Sequence, residues 1–322
     1  MNEATTELGV TIEDVYRARE TIRPHVHLTP TLTATALGEL AGVRLFVKAE
    51  MLQRTGSFKP RGSLCAVNAL APEQRARGII TISAGNHGQG LAYAARTAGV
   101  RCTVVVPDTA TRSKVDAMRG YGAEVIEVPW PELVDRAHAV EAERGLHFVH
   151  PFADPHLVAG YGTLALEVLE AVPDLDAIVV PTGGGGLLCG VGLTVKTLRP
   201  QVKVIGVEPE GAPGVWRSLR EGRAVRLDSV NTIADGLAPP FADELNLRII
   251  RRHVDQVMLV SDEEIKAALR HVLTRTKLVA EPSAAASVAA LLSGRTQVQP
   301  GQTVVCILSG GNVDLARLRE IL

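Results

Sequence analysis

Cysteine is scarce and unpatterned in this chain. The four cysteines, Cys65, Cys102, Cys189 and Cys306, form no CxxC pair. Such scatter excludes a disulfide framework and a cysteine zinc site, and Cys102 and Cys306 fall in strand-like runs. The four read as buried free thiols of a cytoplasmic protein. Neither sign of charge dominates: 34 basic against 35 acidic residues leave a net charge of −1. That gives no electrostatic footprint for nucleic acid or an anionic membrane. Hydrophobic residues make up 46% of the chain but come in short runs, not in the ~18 consecutive residues that a spanning helix needs. The N-terminus, MNEATTELGVTIEDVYRARE, is polar and acidic, unlike a signal peptide. No GK[ST] follows a glycine loop and no GxSxG elbow occurs. The pairs His25/His27 and His147/His150 lack an acidic partner motif, and nine histidines produce such spacings by chance.

What the chain does have is alternation. Short β-branched runs recur: RLFVKAE, GIITIS, CTVVVP, EVIEVP, HFVHPF, AIVVPTG, VKVIGVEP and TVVCILSGG. Between them lie amphipathic stretches of helical length, such as NHGQGLAYAARTAG, PELVDRAHAVEAERG and GTLALEVLEAV. Ser261 and Glu264 in SDEE form a capping box that opens a further helix. Apolar strands alternating with helices predict an α/β fold of parallel sheets covered on both faces. The 322 residues suffice for two domains. The pattern never breaks, and Ala71-Pro72-Glu73 and His150-Pro151 are the expected crossings.

In such sheets, ligands bind where strand carboxyl ends meet helix N-termini. Four junctions of this kind are rich in glycine, serine and asparagine. They are TGSFKPRGS around Lys59, SAGNHGQG from Ser83 to Gly90, TGGGGLLCG from Thr182 to Gly190, and SGGNVD from Ser309 to Asp314. Gly183, Gly184, Gly185 and Gly186 let the backbone close on a ligand, and the helix that follows adds its positive end. Together they predict a phosphate cradle. A dinucleotide site is a rival, with Gly184 and Gly186 as GxG and Glu208 as the ribose acid. The spacing after GxG is wrong for GxGxxG, however, and that reading leaves Lys59 unused. A phosphate cradle with a sheltered lysine instead predicts a phosphorylated aldehyde held as a Schiff base, pyridoxal phosphate, with Phe58 packing on its ring.

At this point the chain resembles the β-family, or fold type II, of pyridoxal-phosphate enzymes, in its threonine/serine dehydratase and serine racemase branch. The motifs that carry the resemblance are SFKPRG, SAGNHGQG, GGGGLL, IADG at Ile233–Gly236, EPSA at Glu281 and SGGN at Ser309. They stand in the family's order and span nearly the full length. The resemblance implies two open, mainly parallel twisted sheets, like the tryptophan synthase β chain. It implies a larger cofactor-binding domain from residues 1–71 and 151–322, with a smaller inserted domain from 72–150. It makes Lys59 the Schiff-base lysine, Asn86 the partner of the ring hydroxyl, Gly183–Gly186 the phosphate loop, Gly236 a backbone neighbour of the ring, and Ser309 the residue facing the pyridine nitrogen. Ser83, Ala84, Asn86 and His87 would lie in the loop and helix start that hold the substrate carboxylate.

The expected chemistry is β-elimination of an L-hydroxyamino acid such as threonine or serine. Lys59 removes the Cα proton, the β-hydroxyl leaves, and a 2-keto acid and ammonia are released. A hydroxyl at Ser309 makes a weaker electron sink than an aspartate would, which favours elimination over transamination. Racemisation needs an acid on the opposite face. The racemases have serine where this chain has Ala84, and HPF at His150–Phe152 also resembles the dehydratases. Two departures stand out. Relatives bind a cation through a glutamate, a carbonyl and an aspartate. Here Glu208 and Ala212 are present but Gly214 replaces the aspartate, so no metal is expected. Tyr161 stands where glutamine is usual. The chain ends soon after SGGNVD, so no effector domain and no isoleucine inhibition are expected, and the resemblance implies a dimer or tetramer. A racemase, a nicotinamide oxidoreductase and a cofactor carrier without turnover remain the alternatives. A β-substituent of methyl, hydrogen, carboxylate or aryl is equally compatible with the sequence.

Overall fold

The computed structural model describes residues 8–322; the first seven residues of the polar N-terminal segment lie outside the described residues. Its strands are β1 (Thr31–Thr33), β2 (Arg44–Ala49), β3 (Ile79–Ile82), β4 (Cys102–Pro107), β5 (Glu124–Val128), β6 (His147–Phe148), β7 (Ala177–Pro181), β8 (Lys203–Pro209), β9 (Gln256–Val260) and β10 (Thr303–Leu308). They form a six-stranded sheet in the order β1-β2-β10-β7-β8-β9 and a four-stranded sheet in the order β5-β4-β3-β6. Every pairing is parallel except β1 with β2. β10 lies between β2 and β7, with Val305 opposite both Phe46 and Ile178. All of β4, β7 and β10 is buried, as continuous apolar runs in a two-faced sheet should be.

The β-branched runs become strands, with differences at the edges. HFVHPF pairs over only two residues, because Pro151 has no N–H to continue the ladder. β1 and β9 carry too short or too mixed a pattern to stand out in the sequence. The helix Pro155–Ala171 starts well ahead of its apolar stretch. Asp154 caps it by accepting from the amides of His156 (2.7 Å) and Leu157 (3.2 Å). At Ser261 the capping box forms: the Glu264 amide donates to Ser261 Oγ (3.2 Å) and the Ser261 amide donates to Glu264 (2.7 Å).

Helices cover both faces of both sheets. One apolar core runs from Leu91, Val104 and Met118 beside the small sheet to Ile178 and Val305 in the large one. A second backs the large sheet, and a third fills the outer face of the small sheet through Ile80, Val105 and Ala137. We propose residues 72–150 as the inserted smaller domain, since β3–β6 all fall within it. The shared core explains why the sequence pattern does not break at its borders. All four cysteines are free and buried, and burial pushes the Cys65 and Cys102 thiols up to about 12. Among the described residues no helix is long and apolar enough to cross a membrane.

A charged cluster lies at the heart of this packing. Arg61, fully buried, donates through Nε and Nη2 to the two carboxylate oxygens of Glu50, each at 2.9 Å. It also donates through Nη1 and Nη2 to Glu167 at 2.7 and 2.8 Å, and through Nη1 to Thr163 (3.2 Å). Lys48 donates to Glu167 and to the Thr29 carbonyl, both at 2.6 Å, and Thr29 bonds Glu50. Two cations meet two carboxylates, so the set is neutral. Burial pushes the Glu50 carboxyl up, but the Arg61 guanidinium, Lys48 and Thr29 together outweigh it and hold the group below the usual carboxylate range. The cluster ties the helix Lys59–Asn68 to β2 and to the helix Pro155–Ala171. Removing the guanidinium would leave buried carboxylates without their partner. Arg61→Met should therefore cost about 3–5 kcal/mol of stability, read as a lowered urea midpoint; a loss below about 1 kcal/mol would show that the cluster is not a structural anchor.

Candidate active site

Lys59 is the first residue of its helix, with Pro60 in the first turn where a missing N–H costs nothing. The turn before it is clamped to the end of β10. Ser57 bridges Gly310, and the Phe58 amide donates to the Ser309 carbonyl (3.0 Å). Gly56 takes a left-handed φ of +72° with the Asn312 side chain packed against it, where a Cβ would collide with that amide. The lysine stem keeps some exposure while its amine is enclosed. Nζ donates to the Pro151 carbonyl (3.2 Å) and lies 5.1 Å from the Phe58 ring centroid and 5.6 Å from that of Tyr161. Burial lowers the amine to about 8, with Glu281 pulling the other way. Tyr161 itself is fully buried, edge-on to Phe58 at 4.8 Å, so the departure from glutamine sits beside the key lysine.

The Ser83–Gly90 junction meets Lys59 directly: a Cβ on Gly90 would lie 2.8 Å from Lys59 Cβ. Ser83 Oγ accepts from the amides of Gly85 (3.3 Å) and Gly88 (3.0 Å), which fixes the loop at the start of the helix Asn86–Ala98. Ala84 stands in that loop with only a methyl group. The Asn86 and His87 amides are at a helix N-terminus, where donors lack intrahelical acceptors. The His87 ring is buried, with Nε2 3.2 Å from Thr81 Oγ1, and burial holds it far below its ordinary value, so it is neutral. What His87 offers a ligand is therefore its backbone.

Asn86 leads to Glu281, the acid of EPSA, for which the motif alone implies no role. Asn86 Nδ2 donates to Glu281 Oε1 (2.7 Å), and Asn86 Oδ1 accepts from Asn312 Nδ2 (2.8 Å), which also bonds the Thr55 carbonyl (2.7 Å). Glu281 is 2% exposed and pushed up to about 7, by burial first and then by Asp235, against the pull of Lys114, Asn86 and Lys59. Its carboxylate flanks both Gly310 and Gly236, where a Cβ would come 2.7 and 3.8 Å from Oε1. The only sequence signal was an acid immediately before Pro282, the first residue of a helix. Lys114, on the helix Arg112–Gly120, pairs with Asp235 (2.5 Å), next to Gly236, and so ties the 72–150 segment to this site.

The glycine run ends β7 and opens the helix Gly186–Leu198, with Gly185 at φ +89°. A Cβ on Gly184 would enter the Phe152 ring, and one on Gly183 would lie 3.2 Å from both Leu237 and Pro239. The Gly236 amide donates to Ser283 Oγ (2.9 Å). Ser309 is nearly closed to solvent at the end of β10. Thus Lys59, Asn86, Gly183, Gly236 and Ser309, drawn from distant parts of the chain, are linked to one another by short contacts. Pyridoxal phosphate fits the residues there: an enclosed amine for its aldehyde, a glycine-rich helix start for its phosphate, and a hydroxyl at Ser309. Ser57 Oγ, opposite Gly310, is buried without a partner among the described residues, an orphan that a polar ligand would satisfy.

Glu208 has another task in this structure. Its two oxygens accept from the amides of Val215 (2.8 Å) and Trp216 (2.7 Å), capping the helix Gly214–Glu221. Burial pushes it up to about 8 while those amides pull it down. Among the described residues, no group of three His, Cys, Asp or Glu could hold a metal.

The lowered Lys59 amine has a measurable consequence. In the cofactor-free protein its labelling by an amine-selective reagent should rise with pH to a midpoint of about 8, not near the ordinary 10.5. Glu281→Gln removes the negative charge that stabilises the ammonium, so the midpoint should move lower still. A midpoint above 10 in the wild type, or an upward move in Glu281→Gln, would contradict the geometry.

Comparison with known proteins bears on the whole chain. The family model for pyridoxal-phosphate dependent enzymes matches residues 22–310. Human serine racemase is 45% identical over 95% of this chain and 92% of its own length. The L-threonine ammonia-lyase of Thermotoga maritima is 41% identical over 97% of this chain and 78% of its own. The solved structure of maize serine racemase superposes with a TM-score of 0.92 at 36% identity, covering 97% and 96% of the two chains. The dinucleotide reading has no support among these relatives. An enclosed lysine, a glycine cradle and a family match over most of the length lead to one conclusion: the chain belongs to the fold type II family of pyridoxal-phosphate-dependent enzymes.

Proposed function

We propose that this enzyme eliminates water from L-hydroxyamino acids and releases a 2-keto acid and ammonia, with little racemisation. The observation that carries this reading is Lys59: one enclosed amine, lowered to about 8, facing a loop whose Ala84 supplies no second proton donor. Bound in this site, pyridoxal phosphate supplies an electrophilic carbon and an electron-withdrawing ring that acidifies the substrate Cα–H. In this proposal Gly183–Gly186 and the helix start behind them hold the phosphate. The amides of Asn86 and His87, in the loop fixed by Ser83, receive the substrate carboxylate. Lys59, whose amine is lowered to about 8, takes the Cα proton in its neutral form. Ser309 would offer a hydroxyl to the pyridine nitrogen and Gly236 would lie beside the ring. Loss of the β-hydroxyl with a proton leaves an enamine, which tautomerises and adds water to give keto acid and ammonia in equal amounts.

Burial keeps all four thiols free, which supports a cytoplasmic setting, and a dimer or tetramer belongs to the same proposal. A racemase is the second reading, supported by the 45% identity to human serine racemase. Ala84 weighs against it.

Two experiments test these readings. Lys59→Ala should lose the visible absorbance of the bound cofactor and drop turnover of L-threonine or L-serine by several orders of magnitude; near-normal activity would sink the assignment. Arginine should not rescue it, because a guanidinium stays protonated. For the branch point, chiral chromatography of residual substrate from the wild type should show almost no D-isomer. Ala84→Ser adds a hydroxyl and should raise the D-isomer only slightly, since a misplacement of about 1 Å can cost roughly a hundredfold. Substantial D-isomer from the wild type would make the protein a racemase.

A further inference from the structure

Aromatic residues are few, with five Phe, four Tyr and two Trp in 322 residues, yet two of them flank the Lys59 amine and two more stand beside the segment that receives it. Phe58 and Tyr161 lie on one side. On another, Pro151, whose carbonyl receives the Lys59 amine, is flanked by His150 and Phe152. Their rings meet at 4.6 Å, nearly perpendicular, and Phe241 completes the set at 5.3 Å from Phe152 and 6.2 Å from His150. This wall is held in place. Asn246 Nδ2 donates to the carbonyls of Phe152 (3.1 Å) and Gly184 (2.6 Å) and so pins Phe152 to the glycine run. His150 Nδ1 accepts from the amides of Phe152 (3.3 Å) and Ala153 (2.8 Å), which places the ring proton on Nε2. The stretch from Gly236 to Phe241, Leu-Ala-Pro-Pro-Phe, carries no polar side chain, and Leu237 and Pro239 abut the Gly183 backbone.

The charges nearby favour an uncharged occupant. Burial lowers the His150 ring and keeps it neutral, while Asp243 and Asp154 are the acids it faces, with Lys59 as the opposing cation. Asp235 and Glu281 add negative charge on the Gly236 side, and Lys114 there is already paired. Arg226 stacks 5.7 Å from the Phe241 centroid but is exposed, so its charge is screened. A carboxylate moved into such a wall would lose its water and meet acids in return.

Building on the elimination reading, we propose that His150, Phe152, Phe241 and the Leu237–Pro240 segment form the subsite for the substrate's β-substituent. The subsite selects hydroxyamino acids whose β-substituent is apolar, methyl or aryl, over those bearing a β-carboxylate. Phe241 is half-buried, with its backbone bridged to Arg226, and Phe152 is tied to the glycine run through Asn246.

The test uses amino acids that carry the β-substituent but no leaving hydroxyl, so that binding is read without elimination. L-2-aminobutyrate, L-phenylalanine, L-aspartate and L-alanine are titrated into the holoenzyme, and Kd is taken from the change in cofactor absorbance. Aminobutyrate and phenylalanine should bind at least about tenfold tighter than aspartate, as expected for a hydrophobic pocket. Phe241→Ala should weaken phenylalanine at least about tenfold and leave alanine within about twofold. Phe241→Arg should strengthen aspartate. Aspartate binding as tightly as aminobutyrate in the wild type would overturn the subsite, as would equal losses for alanine and phenylalanine in Phe241→Ala. If the analogues follow the expected order but hydroxyamino acids yield no keto acid, the elimination reading fails and the subsite stands.

Discussion

The buried guanidinium of Arg61 is the constraint on which the rest depends. It stands two residues after Lys59 and makes bidentate bonds to Glu50 and to Glu167. Glu50 directly follows β2, and Glu167 lies in the helix Pro155–Ala171. One side chain thereby fixes where the Lys59 helix starts relative to the large sheet and to the helix behind it. Glycine allows the close approach this requires: a Cβ on Gly160 would lie 2.6 Å from Gly62 Cα. Ion pairs of this kind contribute little net stability compared with apolar packing of the same volume, but they are costly to break, so they specify geometry. The amine proposed to hold the cofactor is placed by a buried, neutral charge cluster, not by a flexible surface turn.

From that anchor the site assembles by short links. Phe58 bonds the backbone of Ser309, Asn86 joins Glu281 to Asn312, and Asn312 returns to Thr55. Strand ends and helix starts from both sheets are thus locked to one another before any ligand arrives. Such preorganisation lets polar groups stabilise developing charge without first rearranging. Lys114 and Asp235 extend the locking to the helix Arg112–Gly120, so the position of the smaller sheet is coupled to the backbone at Gly236.

Much of this was legible in the sequence. The apolar strands and the capping box at Ser261 follow from local periodicity and spacing, which depend on residues close in the chain. The glycine run at Gly183–Gly186 and the lysine at a helix start were visible because unusual local composition marks a ligand. Other features had no local signal. Arg61 and Glu50 look like ordinary charged residues until folding buries them together. Glu281 reads as a helix-start acid, and only the tertiary structure places it among Asn86, Gly236 and Gly310. The His150–Phe152–Phe241 wall joins residues about ninety positions apart, a separation that periodicity cannot bridge. Tyr161 could be flagged as a departure from its relatives, but its edge-on packing against Phe58 needed the fold.

In the proposed function this framework presents one lysine, Lys59, to the cofactor. Borohydride reduction of the holoenzyme, followed by peptide mass mapping, tests it most directly, because reduction makes the cofactor linkage permanent at whichever lysine carries it. The reduced holoenzyme should carry one phosphopyridoxyl group per chain, on the peptide containing Lys59. A label on Lys114 or any other lysine, with Lys59 unmodified, would contradict it.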